Sequence, residues 1–210
     1  MADRAMLFID GNNWYHAMRN VGVGDLGRLS YAKISQKLIG PRIWTETRYY
    51  IGQVKQQYNT KLYADQRAFL SSLEKTDGRI SVHLGRLEPR PVTDPAAEEL
   101  ANYLAGLKIR VDQSVYHDLV GIAKRNRRIE VYVEKAVDVM IAVDIALLAH
   151  QGAYDSAYLL SADGDLTPAV EAARKLGKRV YVASPSNGAA LAAVANAFIH
   201  LRADWFQDCI

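Results

Sequence analysis

Short runs of consecutive apolar residues alternate with amphipathic stretches along most of the chain. Runs of this length, rich in β-branched and aromatic residues, are typical of strands that are buried on both faces of a parallel sheet. They predict strands at residues 5–9, 47–54, 80–87, 129–133, 157–161, 179–184 and 198–201. The first run is followed by Asp-Gly-Asn-Asn at 10–13, a sequence that suits a loop or the start of a helix.

Helical patterns fill the gaps between these strands. The capping residue Ser30 begins a helix at 30–39, and Gly40-Pro41 ends it. Further helices are predicted at 59–73, 95–107, 113–125, 137–150, 165–176 and 188–195. The helix at 137–150 is apolar almost all round, so it is expected to be buried between other elements. Alternating strands and helices predict an α/β fold, with a mostly parallel sheet and helices on both faces.

The alternation is interrupted after the third strand, at Glu88-Pro89-Arg90-Pro91. Residues 88–130 are interpreted as a helical insertion within a single domain that covers 1–210. The insertion ends in a basic run that contains Arg125, Arg127 and Arg128. This run either contacts nucleic-acid phosphates or is a solvated helix end whose cations complement the helix dipole.

The composition narrows the class of protein. With 210 residues, 50% of them hydrophobic and 23% charged, the chain can form the core of one compact domain. A formal charge of +3 is too small to indicate nucleic-acid binding by itself, so any site for a polyanion must be local. The single cysteine, Cys209, excludes an internal disulfide framework and a multi-cysteine metal cluster. No apolar stretch approaches the ~20 residues that cross a bilayer, and a cytoplasmic location is expected.

Four aspartates are predicted to reach the same edge of the sheet. Asp10 follows the first strand, Asp163 and Asp165 follow the strand at 157–161, and Asp138 stands at the start of the helix that follows the strand at 129–133. Ligands of an open parallel sheet bind beyond the carboxyl ends of its strands. Any one of these residues alone is explained by helix capping or a turn, and Asp165 in particular is placed to cap the next helix.

Asp144 is a contrasting case on the helix at 137–150. It lies about 120° around the helix and about 9 Å further along the axis than Asp138, so the two side chains do not readily share one ion. We therefore assign Asp138 to the site. Asp144 is given a supporting role, either as a hydrogen-bonded structural residue or as a residue that orients an ion ligand without contacting the ion.

Carboxylates that lie close together repel one another unless a proton or a cation neutralises them. Oxygen ligands without cysteine or histidine suit Mg²⁺ or Mn²⁺. Such an ion activates water and stabilises charge on a phosphodiester, so the acidic edge predicts phosphodiester hydrolysis.

Three motifs in this order resemble NYN domains of the LabA-like group. They are Phe-Ile-Asp-Gly-Asn-Asn at 8–13, Lys-Ala-Val-Asp-Val at 135–139 with Val-Asp at 143–144, and Leu-Ser-Ala-Asp-Gly-Asp-Leu at 160–166 with Lys-Leu-Gly-Lys at 175–178. The resemblance covers 1–87 and 131–205, where Leu-Arg-Ala-Asp-Trp-Phe at 201–206 looks like the closing motif of the family.

This resemblance implies a PIN-like fold and a metal-dependent ribonuclease. It implies an acidic centre of Asp10, Asp138, Asp163 and Asp165, supported by Asn13 and by Ser161 of the third motif. Ala162 departs from the family, which commonly has glycine there; a methyl group is tolerated unless φ is positive. The insertion at 88–130 is a second departure from the family. Three roles are open for it: it covers the cleft that contains the acidic centre, it guides RNA, or it docks a protein partner or a second copy of the chain.

Residues beside the motifs are candidates for RNA contacts. Trp14 and Tyr15 are placed to stack on bases, although core packing is the competing interpretation for at least one of them. Lys135, His16 and Arg19 either contact phosphate or are simply solvated. Lys135 ranks first among them as a phosphate contact, because it stands three residues before Asp138.

The leading hypothesis is a Mg²⁺- or Mn²⁺-dependent endoribonuclease that acts on single-stranded or loop RNA, and two other functions compete with it. The first is an RNA-binding or regulatory module that keeps the fold with little or no activity. The second is a phosphatase with Asp10 as nucleophile, which needs an acid two residues later, where this chain has Asn12.

Overall fold

The computed structural model describes residues 3–23, 26–107 and 112–209. The chain divides into two compact units, Met1–Arg86 with Glu134–Ile210 and a smaller one at Leu87–Val133. The strands are β1 Arg4–Asp10, β2 Ile43–Gln53, β3 Ile80–Thr93, β4 Arg128–Lys135, β5 Ser156–Leu160, β6 Arg179–Ser184 and β7 Ala197–His200. The helices are α1 Gly11–Asn20, α2 Tyr31–Ile39, α3 Thr60–Thr76, α4 Pro95–Gly106, α5 Gln113–Asn126, α6 Val137–His150, α7 Thr167–Lys175 and α8 Ala189–Val194. Short 3-10 helices lie at Leu26–Arg28, Gly164–Leu166 and Ala203–Cys209.

The strands form one seven-stranded sheet in the order β4-β3-β2-β1-β5-β6-β7. The pairings of β1 with β2 and β5, β2 with β3, β5 with β6 and β6 with β7 are all parallel. The predicted α/β fold with a mostly parallel sheet is therefore confirmed. Because β1 lies at the centre, its carboxyl end meets the ends of β2 and β5, and this position receives the residues that follow each strand.

Two hydrophobic cores cover the two faces of the sheet. Alternate residues of β1 point to opposite faces, as the pleat of a strand requires. Ala5, Leu7 and Ile9 pack with buried residues of α1, α2 and α3. Met6 and Phe8 pack on the other face with α6, α7 and α8. The predicted cover of helices on both faces is confirmed, and it explains why the strands are almost continuously apolar.

Helix α6 is less buried than its composition suggests. Residues at positions 137, 141, 145 and 149 pack in the core, whereas Val139, Val143 and Leu147 are 66%, 53% and 47% exposed. The expectation that this helix is buried on all sides is wrong, because it packs on the sheet through one face only. No described helix combines the length and the apolar character that a membrane crossing needs.

Strand β3 continues through the segment at which the sequence pattern breaks. It runs to Thr93 and includes Pro89 and Pro91. The prediction that the third strand ends before residues 88–91 is therefore wrong. The register with β2 ends at Gln53 opposite Arg86. Beyond that point β3 has no β2 neighbour, and a proline without an N–H group is tolerated on an unpaired side of a strand.

The smaller unit contains the two helices predicted at 95–107 and 113–125. Asp94 caps α4 and Asp112 caps α5 through their side chains. The N–H of Asp94 also donates to the carbonyl of Arg127, and the Arg127 guanidinium pairs with Glu98 at 2.8 Å. The interpretation of 88–130 as an insertion within one domain stays a prediction.

Two glycines on neighbouring strands make room for the start of α6. Gly52 of β2 is in register with Gly85 of β3. A Cβ atom at Gly85 would lie 2.5 Å from a methyl of Val137 and 2.8 Å from the Lys135 carbonyl. A Cβ atom at Gly52 would lie 2.8 Å from a carboxylate oxygen of Glu134. These positions therefore fix how closely residues 134–137 approach the sheet.

Gly85→Ala is expected to lower the free energy of unfolding by about 1–3 kcal/mol, because the added methyl group overlaps backbone atoms that cannot move freely. Urea denaturation of the purified variant measures the effect. Gly78→Ala is the matched control, since a Cβ atom at Gly78 meets nothing within 4 Å. Equal stability changes in the two variants would contradict the proposed close approach.

Candidate active site

Three of the four predicted aspartates meet at the carboxyl ends of the central strands. Asp10 is the last residue of β1, Asp138 lies in the first turn of α6, and Asp163 follows β5. One carboxylate oxygen from each lies within 4.8 Å of those of the other two. Three separate chain segments therefore bring negative charge to one point.

Asp10 is the most deeply buried member of this group, with 2% of its surface exposed. One carboxylate oxygen accepts from the N–H of Asn13 at 3.1 Å, and the other accepts from the Ser161 hydroxyl at 2.9 Å. Burial raises the pKa of Asp10 to about 6, and the charges of Asp138 and Asp163 add to this rise. The two hydrogen bonds oppose it. The site thus holds a carboxylate whose charge is only partly compensated.

Ser161 and Asn13 connect the ends of β1 and β5. The Ser161 oxygen that donates to Asp10 also accepts from the N–H of Asp163 at 3.0 Å. The side-chain carbonyl of Asn13 accepts from the N–H of Ala162 at 3.0 Å. Ala162 is not among the described residues with positive φ, so its methyl group is compatible with the turn. The first and third sequence motifs therefore form one hydrogen-bonded unit.

Asp163, and not Asp165, is the capping residue after β5. One Asp163 oxygen accepts from the N–H of Asp165 at 2.9 Å and so caps the 3-10 helix Gly164–Leu166. Asp165 is exposed and lies outside the group of three. It is still near enough for its charge to raise the pKa of Asp138. Of the four predicted acids, Asp10, Asp138 and Asp163 therefore cluster, and Asp165 lies beside them; a role for Asp165 in holding an ion stays a prediction.

The backbone before Asp138 adopts an unusual conformation. Ala136 has a φ of 74°, and it is the only non-glycine residue with positive φ in the described ranges. This left-handed residue lets the chain turn from β4 directly into α6 without a side-chain cap. The pKa of Asp138 is raised by partial burial and by the charges of Asp163 and Asp165. The strained backbone at Ala136 thus immediately precedes the turn of α6 that places the Asp138 carboxylate in the group.

A cavity of about 220 Å³ opens over the three aspartates, and Glu134 lines it with them. Other lining residues are Asn12, Asn13 and His16. Glu134 accepts from the N–H of Gly52 at 2.7 Å. Its pKa is raised by burial and by the charges of Asp10 and Asp138. Glu134 was not among the predicted site residues, although its place near the carboxyl end of β4 is the same signal that selected Asp10.

The donor set at this point fits a hard divalent cation. No ion pair between residues of the described ranges involves Asp10, Asp138 or Asp163. Three clustered carboxylates without a lysine or arginine partner among the described residues leave negative charge to be neutralised. Oxygen ligands of this kind suit Mg²⁺ or Mn²⁺, which complete their coordination with water.

The two aromatic candidates for RNA contacts have different positions. Trp14 is 0% exposed and packs edge to face on Phe206. The prediction that it stacks on a base is wrong, because its position on α1 faces the sheet. Tyr15 is 41% exposed, and Lys135 is exposed at the end of β4. These two remain available to a ligand.

The basic candidates of the smaller unit are all exposed. Arg125 lies in the last turn of α5, Arg127 is its C-cap, and Arg128 begins β4. The Arg127 guanidinium pairs with Glu98, as described above. Their contact with RNA stays a prediction.

Asp144 belongs to a separate polar group on α6. Its carboxylate accepts from Arg48 at 2.9 Å and from the Tyr50 hydroxyl at 2.7 Å. Two donors on β2 therefore satisfy its charge where α6 crosses the sheet. Asp144 lies outside the three-carboxylate group, and its observed partners give it a structural role.

The fold and the site define the class: an α/β protein with an acidic centre at the carboxyl ends of its central parallel strands. The model of the NYN domain family matches residues 4–202, so the chain belongs to this family. The match does not separate subgroups, and the LabA-like placement stays a prediction. No curated protein matches the chain. The fold is similar to that of a crystallised protein of unknown function from Vibrio parahaemolyticus, with a TM-score of 0.54, 15% identity, and coverage of 97% of this chain and 95% of that one.

Asp10→Asn is expected to stabilise the metal-free protein above pH 6. A free aspartate has a pKa of 3.8 and Asp10 one of about 6, so the folded state binds the proton more tightly. Stability therefore falls as the pH rises from about 4 to 6 and stays low above that range. The neutral amide avoids this loss, which corresponds to roughly 2–3 kcal/mol.

Urea unfolding in EDTA at pH 4 and pH 8 measures this effect. The stabilisation is expected at pH 8 and is expected to shrink near pH 4, where the folded wild-type chain carries the proton and a large share of the unfolded chains carries it too. Asp65→Asn, at an exposed position of α3, controls for the general effect of removing one negative charge. A stabilisation of equal size at both pH values would contradict the account of Asp10.

Proposed function

We propose that this protein is a ribonuclease that hydrolyses RNA phosphodiesters with Mg²⁺ or Mn²⁺. Membership of the NYN family, whose domains are PIN-like and generally nucleases, supports this proposal. The observation that carries the proposal is the group of three carboxylates from Asp10, Asp138 and Asp163, with oxygens within 4.8 Å of one another. The metal, the RNA substrate and the activity of this chain are the parts we propose.

Asp10, Asp138 and Asp163 would hold the ion, with Asp165 beside Asp138. When bound, Mg²⁺ or Mn²⁺ lowers the pKa of water and stabilises negative charge on the phosphodiester. Ser161 and Asn13 keep Asp10 in one orientation through the hydrogen bonds described above. A carboxylate held in this way loses little conformational freedom when a ligand arrives.

Glu134 and His16 complete the wall of the cavity. Glu134 is fixed by the Gly52 N–H, so it presents its remaining acceptor capacity toward the acidic centre. Its pKa, raised by burial and by neighbouring acids, suits a residue that exchanges a proton with water or substrate. His16 is exposed on the same wall, where a phosphate or a leaving oxygen would reach it.

The exposed residues around the centre suit a polyanion with aromatic bases. Tyr15 presents an open ring, and the Arg19 guanidinium donates to its hydroxyl at 3.3 Å. Lys135 is exposed three residues before Asp138. Phosphate contacts of this kind position a strand, while rings stack on its bases. Arg125, Arg127 and Arg128 remain proposed phosphate contacts of the smaller unit.

Metal-dependent cleavage is expected to disappear when a carboxylate of the centre is replaced. Labelled RNA is incubated with purified wild type, Asp138→Asn and Asp163→Asn, each with Mn²⁺, with Mg²⁺ and with EDTA. Loss of an ion ligand is expected to lower the cleavage rate by about 100-fold or more. Asp65→Asn is the matched control and should cleave like wild type, because this side chain is exposed on α3.

Each alternative gives a different result in this assay. Cleavage that persists in EDTA, or that both centre variants retain, would contradict the proposal. RNA binding by wild type without any cleavage would instead indicate the non-catalytic RNA-binding module. Release of phosphate from monoesters with trapping of a phosphoaspartate would indicate the phosphatase, which the presence of Asn12 already disfavours.

A further inference from the structure

We propose that an aromatic cleft beside the acidic centre binds one nucleobase of the RNA strand, next to the cleaved phosphate. This inference rests on the proposed function and specifies how its substrate is held. The cleft has a volume of about 420 Å³, and its main lining residues are Asn12, Tyr15, Leu26, Tyr49, Ile51 and Phe69. We call the pocket formed by these residues the aromatic cleft.

Ring contacts between aromatic side chains support the walls of the cleft. Tyr49 of β2 is buried, and its ring contacts Phe69 of α3 edge to face, with centroids 5.8 Å apart. Tyr31 of α2 supports both rings, at 5.5 Å from Tyr49 and 5.9 Å from Phe69. Tyr15, from α1, is the exposed ring of the set. A flat ligand therefore meets prearranged apolar surface, which lowers the cost of ordering the site on binding.

Helix α1 connects the cleft to the acidic centre. Asn12 lines both the cleft and the acidic cavity. Residues 12, 15 and 19 fall on one side of the helix, since they are spaced by three and four positions. Asn13 and His16 fall on the neighbouring side, toward the aspartates. One turn of helix thus presents an aromatic surface and the acidic cavity next to each other.

A nucleobase is the ligand whose chemistry matches this arrangement. Its flat π-faces suit the aromatic walls, and its polar edge suits the Asn12 amide at the boundary with the acidic cavity. The Arg19 guanidinium lies 5.6 Å from the centroid of the Tyr15 ring. A cation at this rim suits the phosphate of an adjoining nucleotide. Because the walls are mainly apolar, we expect stacking that tolerates all four bases.

The experiment measures how much one base of the RNA contributes to binding and whether this contribution depends on Tyr15. A short unstructured RNA is prepared with an abasic ribonucleotide at each position in turn, and binding by fluorescence anisotropy and cleavage are measured separately. For wild type, an abasic site at a position flanking the cleaved phosphate is expected to weaken binding by about 5- to 150-fold. Abasic sites at distant positions should have smaller effects.

Variants of the cleft residues test whether the cleft causes the loss of binding at the abasic site. In Tyr15→Ala, intact RNA should bind with the affinity of the abasic RNA, and the abasic substitution should add little further loss. Tyr15→Phe keeps the ring and should retain most of the wild-type difference. Phe69→Leu preserves packing volume while it removes one aromatic wall, and it should reduce the difference. Ile43→Ala, at a 50% exposed position at the opposite end of β2, is the control for surface truncation.

The outcomes separate this inference from the proposed function. Cleavage with normal metal dependence, but with equal abasic penalties in wild type and Tyr15→Ala, would overturn the base site and leave the ribonuclease intact. Binding that shows the Tyr15-dependent penalty without any cleavage would support the base site and overturn hydrolysis. Absence of RNA binding by folded wild type would overturn both.

Discussion

The burial of Asp10 at the end of the central strand is the constraint on which the rest of the site depends. A carboxylate removed from water is costly unless hydrogen bonds or a cation compensate it. Here the N–H of Asn13 and the hydroxyl of Ser161 supply two hydrogen bonds, yet the pKa of Asp10 remains raised to about 6. Because Asp138 and Asp163 add further negative charge, the sheet edge presents a centre whose remaining electrostatic cost a cation would relieve.

The fold accommodates this cost through its topology and a few special residues. Parallel pairing of β1 with β2 and β5 brings the three strand ends together. Gly52 and Gly85 leave the space that residues 134–137 occupy, and the left-handed turn at Ala136 starts α6 beside the sheet. The positive φ of Ala136 and the buried charge of Asp10 cost stability, which is the usual relation between stability and a functional site.

Much of this arrangement follows from sequence patterns, and the exceptions have physical reasons. Apolar runs located every strand, and the rule that ligands bind beyond strand ends selected Asp10, Asp138 and Asp163. The pattern favoured Asp165 as the helix cap, whereas Asp163 has this role, because both stand near a helix start and only the backbone decides which one caps it. The orientation of α1 buried Trp14, and this orientation depends on long-range packing with Phe206. Glu134 directly follows the predicted strand at 129–133, so the same rule applied to it, but its place at the cavity also depends on long-range contact with the N–H of Gly52.

Crystals soaked with Mn²⁺ show whether Asp10, Asp138 and Asp163 together hold one divalent ion. We expect an anomalous density peak in contact with carboxylate oxygens of all three residues. Crystals without a peak there at saturating Mn²⁺, or with a lysine or arginine side chain between the three carboxylates, would contradict this expectation.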